Sequence, residues 1–214
     1  AALKAEGRDI LSLTLGEPDF TTPENIQKAA IAAIQDGKAS FYTAASGLPA
    51  LKDAISSYME TFYGYAVPRN QVVVATGAKF ILYAAFATLL NPGDEVIIPT
   101  PCWVSYVDQV KMVDAVPVTF QTTEANDFKA TVEQLEAART EKTKLILLNS
   151  PSNPTGMIYS REELEAIGAW ALEHDILILA DDIYGRLVYN GHEFTAISSL
   201  SDALRKQTIV VNGV

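Results

Sequence analysis

The sequence predicts an α/β fold, a three-layer sandwich in which helices cover both faces of a mainly parallel sheet. Short apolar runs recur along the chain, and stretches with helical features separate them. Several of these runs, VVVA, LILL, ILILA and TIVV, are continuously apolar instead of alternating with polar residues. Strands of that kind are covered on both faces, as they are in a doubly wound parallel sheet. The fold class therefore follows from the pattern alone.

The first part of the chain predicts one extended segment and two helices. Residues 10–15 alternate with period two, which favours an extended conformation. The stretch 22–24 supplies a threonine N-cap, a proline and an acid, and so predicts a helix that ends at Gly37. A second helix is predicted from Leu48 to Phe62, with Gly64 as its stop.

From residue 72 onward, predicted strands and helices alternate. A capping-box pattern, Ser160-Arg-Glu-Glu163, marks the start of one of these helices. The predicted strands are 72–75, 95–99, 116–120, 144–149, 176–180 and 208–211, and the other helices are 78–90, 103–113 and 131–139.

Polar and aromatic residues follow the ends of several predicted strands. Asn153 stands in the rigid loop PSNPTG, whereas Asp181 and Tyr184 follow the apolar run ILILA. Trp103 follows an earlier strand, and the turn TGAK at 76–79 joins a strand to a helix. In a sheet of alternating strands and helices, small-molecule sites form at these carboxyl ends. We therefore expect these side chains to meet at one edge of the sheet.

A carboxylate, an amide and a phenol that converge suit pyridoxal phosphate (PLP), whose ring needs an anion beside its pyridinium nitrogen and donors at its phenolate oxygen. Asp181 lies at the rim of the core, where a carboxylate is costly unless a cation or hydrogen-bond donors meet it. The glycine turn before Ala78 would leave the amides of a helix start free to bind a phosphate. Trp103 offers a face on which a flat heteroaromatic ring can stack.

Each of these residues also has an ordinary structural interpretation. Asn153 could close a turn, and Asp181 could cap a helix or pair with Arg186. Trp103 and Tyr184 could pack in the core, and any connection from strand to helix favours glycine. The chain has no Walker loop, no GxGxxG motif and no pair of residues with metal-ligand spacing, so we expect no bound metal.

Composition limits the partners and the location. The formal charge is −10 and the basic residues are scattered, which argues against nucleic acid as a partner. No apolar stretch approaches the roughly 18 residues of a membrane span. The chain has one cysteine, Cys102, which indicates a reducing compartment, so we expect a cytoplasmic protein.

Taken together, the motifs resemble the class I and II aminotransferases of the fold-type I PLP-dependent superfamily, and especially its bacterial aspartate-aminotransferase-like branch. The resemblance extends over the whole chain, and the motifs occur in the family order. They are LGEPDF at 15–20, YTAASG at 42–47, TGAK at 76–79, NPGDEV at 91–96, PCWVSY at 101–106, SPSNPTG at 150–156, DDIY at 181–184 and VNG at 211–213.

The resemblance implies a role for each matching position around PLP. Backbone amides of Ala78 and Lys79 would bind its phosphate, and Trp103 would stack on its ring. Asp181 would pair with the pyridinium nitrogen. The phenolate oxygen would accept hydrogen bonds from two further side chains, those of Asn153 and Tyr184.

The resemblance also implies a substrate site, a dimer and two domains. Gly16, Trp103 and Asn153 would contact the substrate, the first and last of them through its carboxylate. Tyr42 would reach the phosphate of a neighbouring subunit, which implies a homodimer with shared active sites. Residues 1–40 would contribute to a small domain and to the rim of the active site, and residues 41–214 would form an incomplete PLP-binding large domain.

The catalytic residue of the family is a Schiff-base lysine that follows an Asn-Gly pair by three residues. Asn212 and Gly213 match that pair, which puts the lysine two positions past Val214. Lys206 precedes the last strand and Lys79 lies at the phosphate turn, so neither can replace it. The resemblance therefore implies that the sequence covers about half of a family member, and we expect this stretch alone to be inactive.

The function expected from the resemblance is transfer of an amino group between an amino acid and a 2-oxo acid, with aspartate-like substrates favoured. A PLP-dependent C–S lyase, synthase or decarboxylase is an alternative on the same fold. Two alternatives from other classes are a non-catalytic, effector-sensing aminotransferase-like domain and a generic nucleotide-binding α/β domain.

Overall fold

The computed structural model describes residues 2–11, 16 and 20–213. The chain divides into two compact units, one up to Thr43 and one from Ala44 onward.

The first unit is mainly helical. It contains α1 (Ala2–Ala5), α2 (Glu24–Gln35) and a single 3₁₀ turn at Lys38–Ser40. Pro23 precedes α2, and Gly37 adopts a left-handed φ of 74° just after it, as the sequence predicts. Most of the predicted extended segment at 10–15 lies outside the described residues.

The second unit contains a five-stranded sheet and six α-helices within the described residues. The strands β1 to β5 are Glu95–Thr100, Val116–Gln121, Thr143–Asn149, Leu177–Asp181 and Thr208–Val211. Their order in the sheet is β2-β1-β3-β4-β5, and all four neighbouring pairs are parallel. The helices α3 to α8 are Pro49–Tyr63, Ala78–Leu89, Ser105–Lys111, Val132–Ala138, Arg161–Glu173 and Asp202–Gln207.

Both faces of the sheet are buried, because successive strand residues enter two different cores. Ile146 and Ile178 pack with Leu164 and other residues of α6, α7 and α8. Leu145 and Leu179, one residue away, pack with residues of α4 and α5. The predicted α/β sandwich with a parallel sheet is therefore confirmed, as is the reason for it, which is burial on two faces.

One predicted strand is wrong. Residues 72–75 form no regular strand and do not join the sheet; the backbone amide of Val74 donates to the carbonyl of Ser46, at 3.1 Å. Val72 is buried whereas Val73 is 64% exposed, so this apolar run is covered on one side only. The helix predicted at 103–113 is also shorter than expected, because regular α5 begins at Ser105.

Candidate functional site

Three strand ends meet at the carboxyl edge of the sheet. The register pairs Asn149 at the end of β3 with Asp181 at the end of β4, and Asp181 in turn with Val211 at the end of β5. The side-chain amide of Asn149 donates to the backbone carbonyl of Asp181 at 2.8 Å, which ties the two strand ends together. The sequence predicted that Asp181 would lie at this edge, and it does.

Asp181 is buried, with 3% of its surface exposed, and its two carboxylate oxygens meet different donors. The Tyr106 hydroxyl donates to Oδ2 at 2.6 Å, and the Ile183 amide donates to Oδ1 at 3.3 Å. Burial raises the pKa of Asp181, and these two hydrogen bonds act against that shift. No ion pair among the described residues includes Asp181. The pairing with Arg186 considered above is absent; that guanidinium lies 3.9 Å from the ring centroid of Phe62.

Asn153 and Tyr184 come together, as the sequence predicts. The Asn153 side-chain amide donates to the Tyr184 hydroxyl at 3.3 Å. The Asn153 loop is held by Asn149, whose side-chain oxygen accepts the Asn153 backbone amide at 2.8 Å. Asn149 thus links the loop to the Asp181 strand end, and a small cavity at this edge is lined by Tyr106, Asn149 and Asn153 among other residues.

Trp103 and Lys79 form the neighbouring part of the site. The Lys79 ammonium lies 4.8 Å from the centroid of the Trp103 ring. Trp103 packs edge-on against Tyr106, with 5.3 Å between the ring centroids. The side chain of Gln109 donates to the backbone carbonyl of Lys79 at 2.8 Å and so fixes the first turn of α4.

Helix α4 begins without a side-chain cap. Gly77 takes a φ of 83°, a conformation that other residues rarely adopt, and makes no capping hydrogen bond. The amides at the start of a helix lack acceptors within the helix. The amides of Ala78 and Lys79 belong to this first turn, so they are suited to bind an anion.

Gly16 and Tyr42 belong to the first unit, and both are exposed. Their assigned contacts, with substrate and with a neighbouring subunit, remain predictions.

The sequence interpretation missed several residues of this edge. Tyr106 was read only as part of a motif, yet it is a direct partner of Asp181. Asn149 was read only as a strand end. Tyr63 was given no role, since the predicted helix ended at Phe62, yet its hydroxyl donates to Asp182 at 3.1 Å. The sequence signal for Tyr106 is its spacing of one helical turn from Trp103, whereas the contact of Tyr63 spans 119 residues and has no local signal.

Within the described ranges, His, Cys, Asp and Glu residues form no cluster of three or more that could hold a metal ion. Across those same ranges, every helix is too short or too polar to cross a membrane.

The chain is thus an α/β protein in which polar side chains gather at the carboxyl ends of a parallel sheet, the place where small-molecule sites form in folds of this kind. The family model for aminotransferase class I and II matches residues 8–214. The chain therefore belongs to the class I and II aminotransferase family.

Relatives and solved structures agree with this assignment. The chain is 72% identical to the asparagine–oxo-acid transaminase of Streptococcus mutans, over 99% of this chain and 54% of that protein. It is 50% identical to the aspartate aminotransferase of Geobacillus stearothermophilus, with the same two coverages. The crystal structure of the aspartate aminotransferase from Rhizobium meliloti superposes with a TM-score of 0.96 at 43% identity, over 100% of this chain and 53% of that one. The chain thus spans about half the length of the relatives it matches.

Proposed function

We propose that the protein to which this chain belongs is a PLP-dependent aminotransferase that moves an amino group between an amino acid and a 2-oxo acid. The observation that carries the proposal is the buried Asp181 carboxylate, which has no cationic partner among the described residues and stands at the carboxyl edge of an aminotransferase-family sheet. A buried carboxylate without a cation is costly, and a ligand cation would offset that cost.

The residues of the edge fit PLP. The Asp181 carboxylate would lie beside the ring nitrogen and keep it protonated. Asn153 and Tyr184, which already touch each other, would share the oxygen on the opposite side of the ring. Trp103 would stack on the ring, and the first-turn amides of α4, at Ala78 and Lys79, would bind the phosphate.

When bound, PLP supplies an electron sink that makes the α-proton of an amino acid easier to remove. Asp181 would sustain that sink by holding positive charge on the ring nitrogen. Tyr106 would hold Asp181 in place, because its hydroxyl fixes one carboxylate oxygen at 2.6 Å.

The proposed substrates are amino acids with a short acidic or carboxamide side chain. The names of the relatives support this, since one is an asparagine–oxo-acid transaminase and another an aspartate aminotransferase. Gly16, Trp103 and Asn153 would contact the substrate. These names also favour a transferase over the lyase, decarboxylase and effector-sensing alternatives.

The proposal includes a homodimer in a reducing compartment, the cytoplasm. Tyr42 is exposed and would reach the phosphate of the neighbouring subunit. Residues 1–40 would belong to a small domain and to the rim of the site. Cys102, the one cysteine of the sequence, agrees with a reducing location.

The test is an assay of the full-length protein with PLP, a donor and a 2-oxo acid acceptor. We expect a new amino acid and a new 2-oxo acid in equal amounts, with aspartate or asparagine a better donor than alanine. Release of ammonia without an acceptor, or an absorption spectrum of added PLP that the protein leaves unchanged, would contradict the proposal.

A further inference from the structure

A buried hydrogen-bonded group outside the proposed PLP site joins three elements through one hydroxyl. Tyr63, the last residue of α3, donates its hydroxyl to Asp182 Oδ2 at 3.1 Å. The same hydroxyl accepts the side-chain amide of Asn212 at 3.0 Å. The partners lie 119 and 149 residues away in sequence, one after β4 and one after β5.

The hydrogen bond between Tyr63 and Asp182 is buried in the protein interior. Tyr63 and Asp182 are each 5% exposed, and no ion pair among the described residues includes Asp182. Burial, followed by the neighbouring Asp182 carboxyl, raises the pKa of Tyr63 well above its ordinary value, so the phenol stays a neutral donor. A buried carboxyl that lost this donor would have to find another one.

The hydrogen bonds of Tyr63, Asp182 and Asn212 fix the backbone just after the end of β5. The Asp182 amide donates to the Val211 carbonyl at 2.8 Å, and the Gly213 amide donates to the Asn212 side-chain oxygen at 2.8 Å. A β-carbon at Gly213 would lie 2.7 Å from Cδ1 of Ile183, so the backbone passes close to the loop after β4. Asn212 is thus held at both ends of its side chain, by Tyr63 and by its own main chain.

We propose that Tyr63 is a positioning residue whose hydroxyl, bridging Asp182 and Asn212, fixes the direction in which the chain leaves β5. The catalytic consequence rests on the proposed function: the chain leaving β5 is the one expected to carry the reactive lysine two residues past Val214. By anchoring Asn212, Tyr63 would hold that lysine at the edge of the sheet where Asp181 lies.

The first test is amide hydrogen exchange in the full-length protein without PLP, comparing Tyr63→Phe with wild type. Phenylalanine keeps the ring in its aromatic surroundings and removes only the hydroxyl. We expect the amides of Asp182 and Gly213 to exchange roughly tenfold faster in the variant. The loss of the Tyr63 hydroxyl removes the bridge between Asp182 and Asn212, so the backbone beside both amides opens more readily.

The matched control is Tyr65→Phe. Tyr65 is also buried, lies two residues further along the chain, and donates its hydroxyl to Ser198 at 2.8 Å instead of to Asp182. We expect its loss to leave the exchange at Asp182 and Gly213 unchanged. Denaturant unfolding of each variant separates this local effect from a change in global stability.

If Tyr63→Phe does not fold, Asn212→Ala tests the same bridge from its half-buried end, and exchange is then read at the Asp182 amide, because the Gly213 amide itself donates to the Asn212 side chain. Where Tyr63→Phe folds, the two changes should not add at the Asp182 amide in the double variant, since both remove the Tyr63–Asn212 hydrogen bond. Unchanged exchange at Asp182 and Gly213 in Tyr63→Phe, or at Asp182 in Asn212→Ala, would overturn the proposal, as would equal acceleration by the Tyr65 control.

The second test is kinetic. In the active protein we expect Tyr63→Phe to lower kcat roughly tenfold with KM little changed, and Tyr65→Phe to change neither. A rise in KM alone would overturn the positioning role. The exchange experiment does not depend on catalysis, so failure of the proposed aminotransferase activity is distinguishable from failure of this inference.

Discussion

Asp181 and Asp182 are neighbours in sequence, yet they meet different tyrosines. Asp181 is the last residue of β4, and Asp182 is the first residue after it. Asp181 accepts a hydrogen bond from Tyr106 in α5, and Asp182 accepts one from Tyr63 in α3. One carboxylate therefore serves the proposed PLP site, while the other belongs to the bridge between α3 and β5.

The pH dependence of stability tests the burial of Asp182. Burial is the main cause that raises its pKa to about 7, with a further contribution from Asp181, while the hydrogen bond from Tyr63 opposes the shift. Because this pKa lies above the unfolded value, the folded state binds the extra proton, and the ionised group destabilises the fold increasingly from about pH 4 to pH 7. Asp182→Asn should therefore gain stability relative to wild type across that window, by a few kcal/mol at most, at about 1.4 kcal/mol per pKa unit.

Urea unfolding of both proteins at several pH values from 4 to 8 measures this difference. Asp108→Asn, which changes an exposed carboxylate, is the control. Parallel stability curves for wild type and Asp182→Asn would contradict the assignment. The titratable neighbours that bear on the result are Asp181, Tyr63 and Tyr65.

Tyr106→Phe tests the partner of Asp181. Removing a hydrogen bond to a charged group costs about 1.5–3 kcal/mol, so we expect PLP to bind roughly tenfold or more weakly while the protein stays folded. Equilibrium dialysis measures the affinity, and Tyr65→Phe is again the control. An affinity equal to wild type would mean that Tyr106 does not support the site.

At the scale of single elements, the start and the end of a helix could be predicted wherever the interacting residues are close in sequence. The capping box at Ser160 was predicted from four residues and is present with both of its hydrogen bonds. The stop of α3 at Gly64 was predicted from glycine alone, and Gly64 has a φ of 77°. The strand at 72–75 was predicted wrongly, because an apolar run does not reveal which segment it pairs with.

The capping box gives a stability prediction. Ser160→Ala removes the side chain that accepts from the Glu163 amide, and should lower the free energy of unfolding by about 1 kcal/mol. Ser57→Ala, at an exposed position inside α3, is the matched control and should be neutral or slightly stabilising. A loss of equal size in both variants would show that the cap contributes nothing specific.

For the whole molecule, the parallel sheet and the meeting of its strand ends at one edge could be predicted from the sequence, but the strand order and the side-chain contacts could not. The pattern predicted a doubly covered parallel sheet, and any such sheet gathers its carboxyl ends at one edge. Which side chains touch there depends on register and on helix packing. Tyr106 meets Asp181 across 75 residues, and Tyr63 meets Asn212 across 149, so no short window of sequence contains either pair.

The shared site is a prediction about the assembled protein. If Tyr42 reaches a neighbouring phosphate, Tyr42→Phe should weaken PLP binding roughly tenfold and leave the dimer intact. Sedimentation and dialysis measure the two quantities, with Tyr189→Phe, another exposed tyrosine, as the control. A monomer that binds PLP with full affinity would exclude the shared site.

The central claim is that the buried carboxylate of Asp181 balances a positive charge on a bound ring, and ¹⁵N NMR of PLP labelled at its ring nitrogen tests it most directly. In the full-length protein near pH 8, we expect the chemical shift of a protonated nitrogen, and in Asp181→Asn that of an unprotonated one. An unprotonated nitrogen in the wild-type protein, or the same protonated shift in both proteins, would contradict the account.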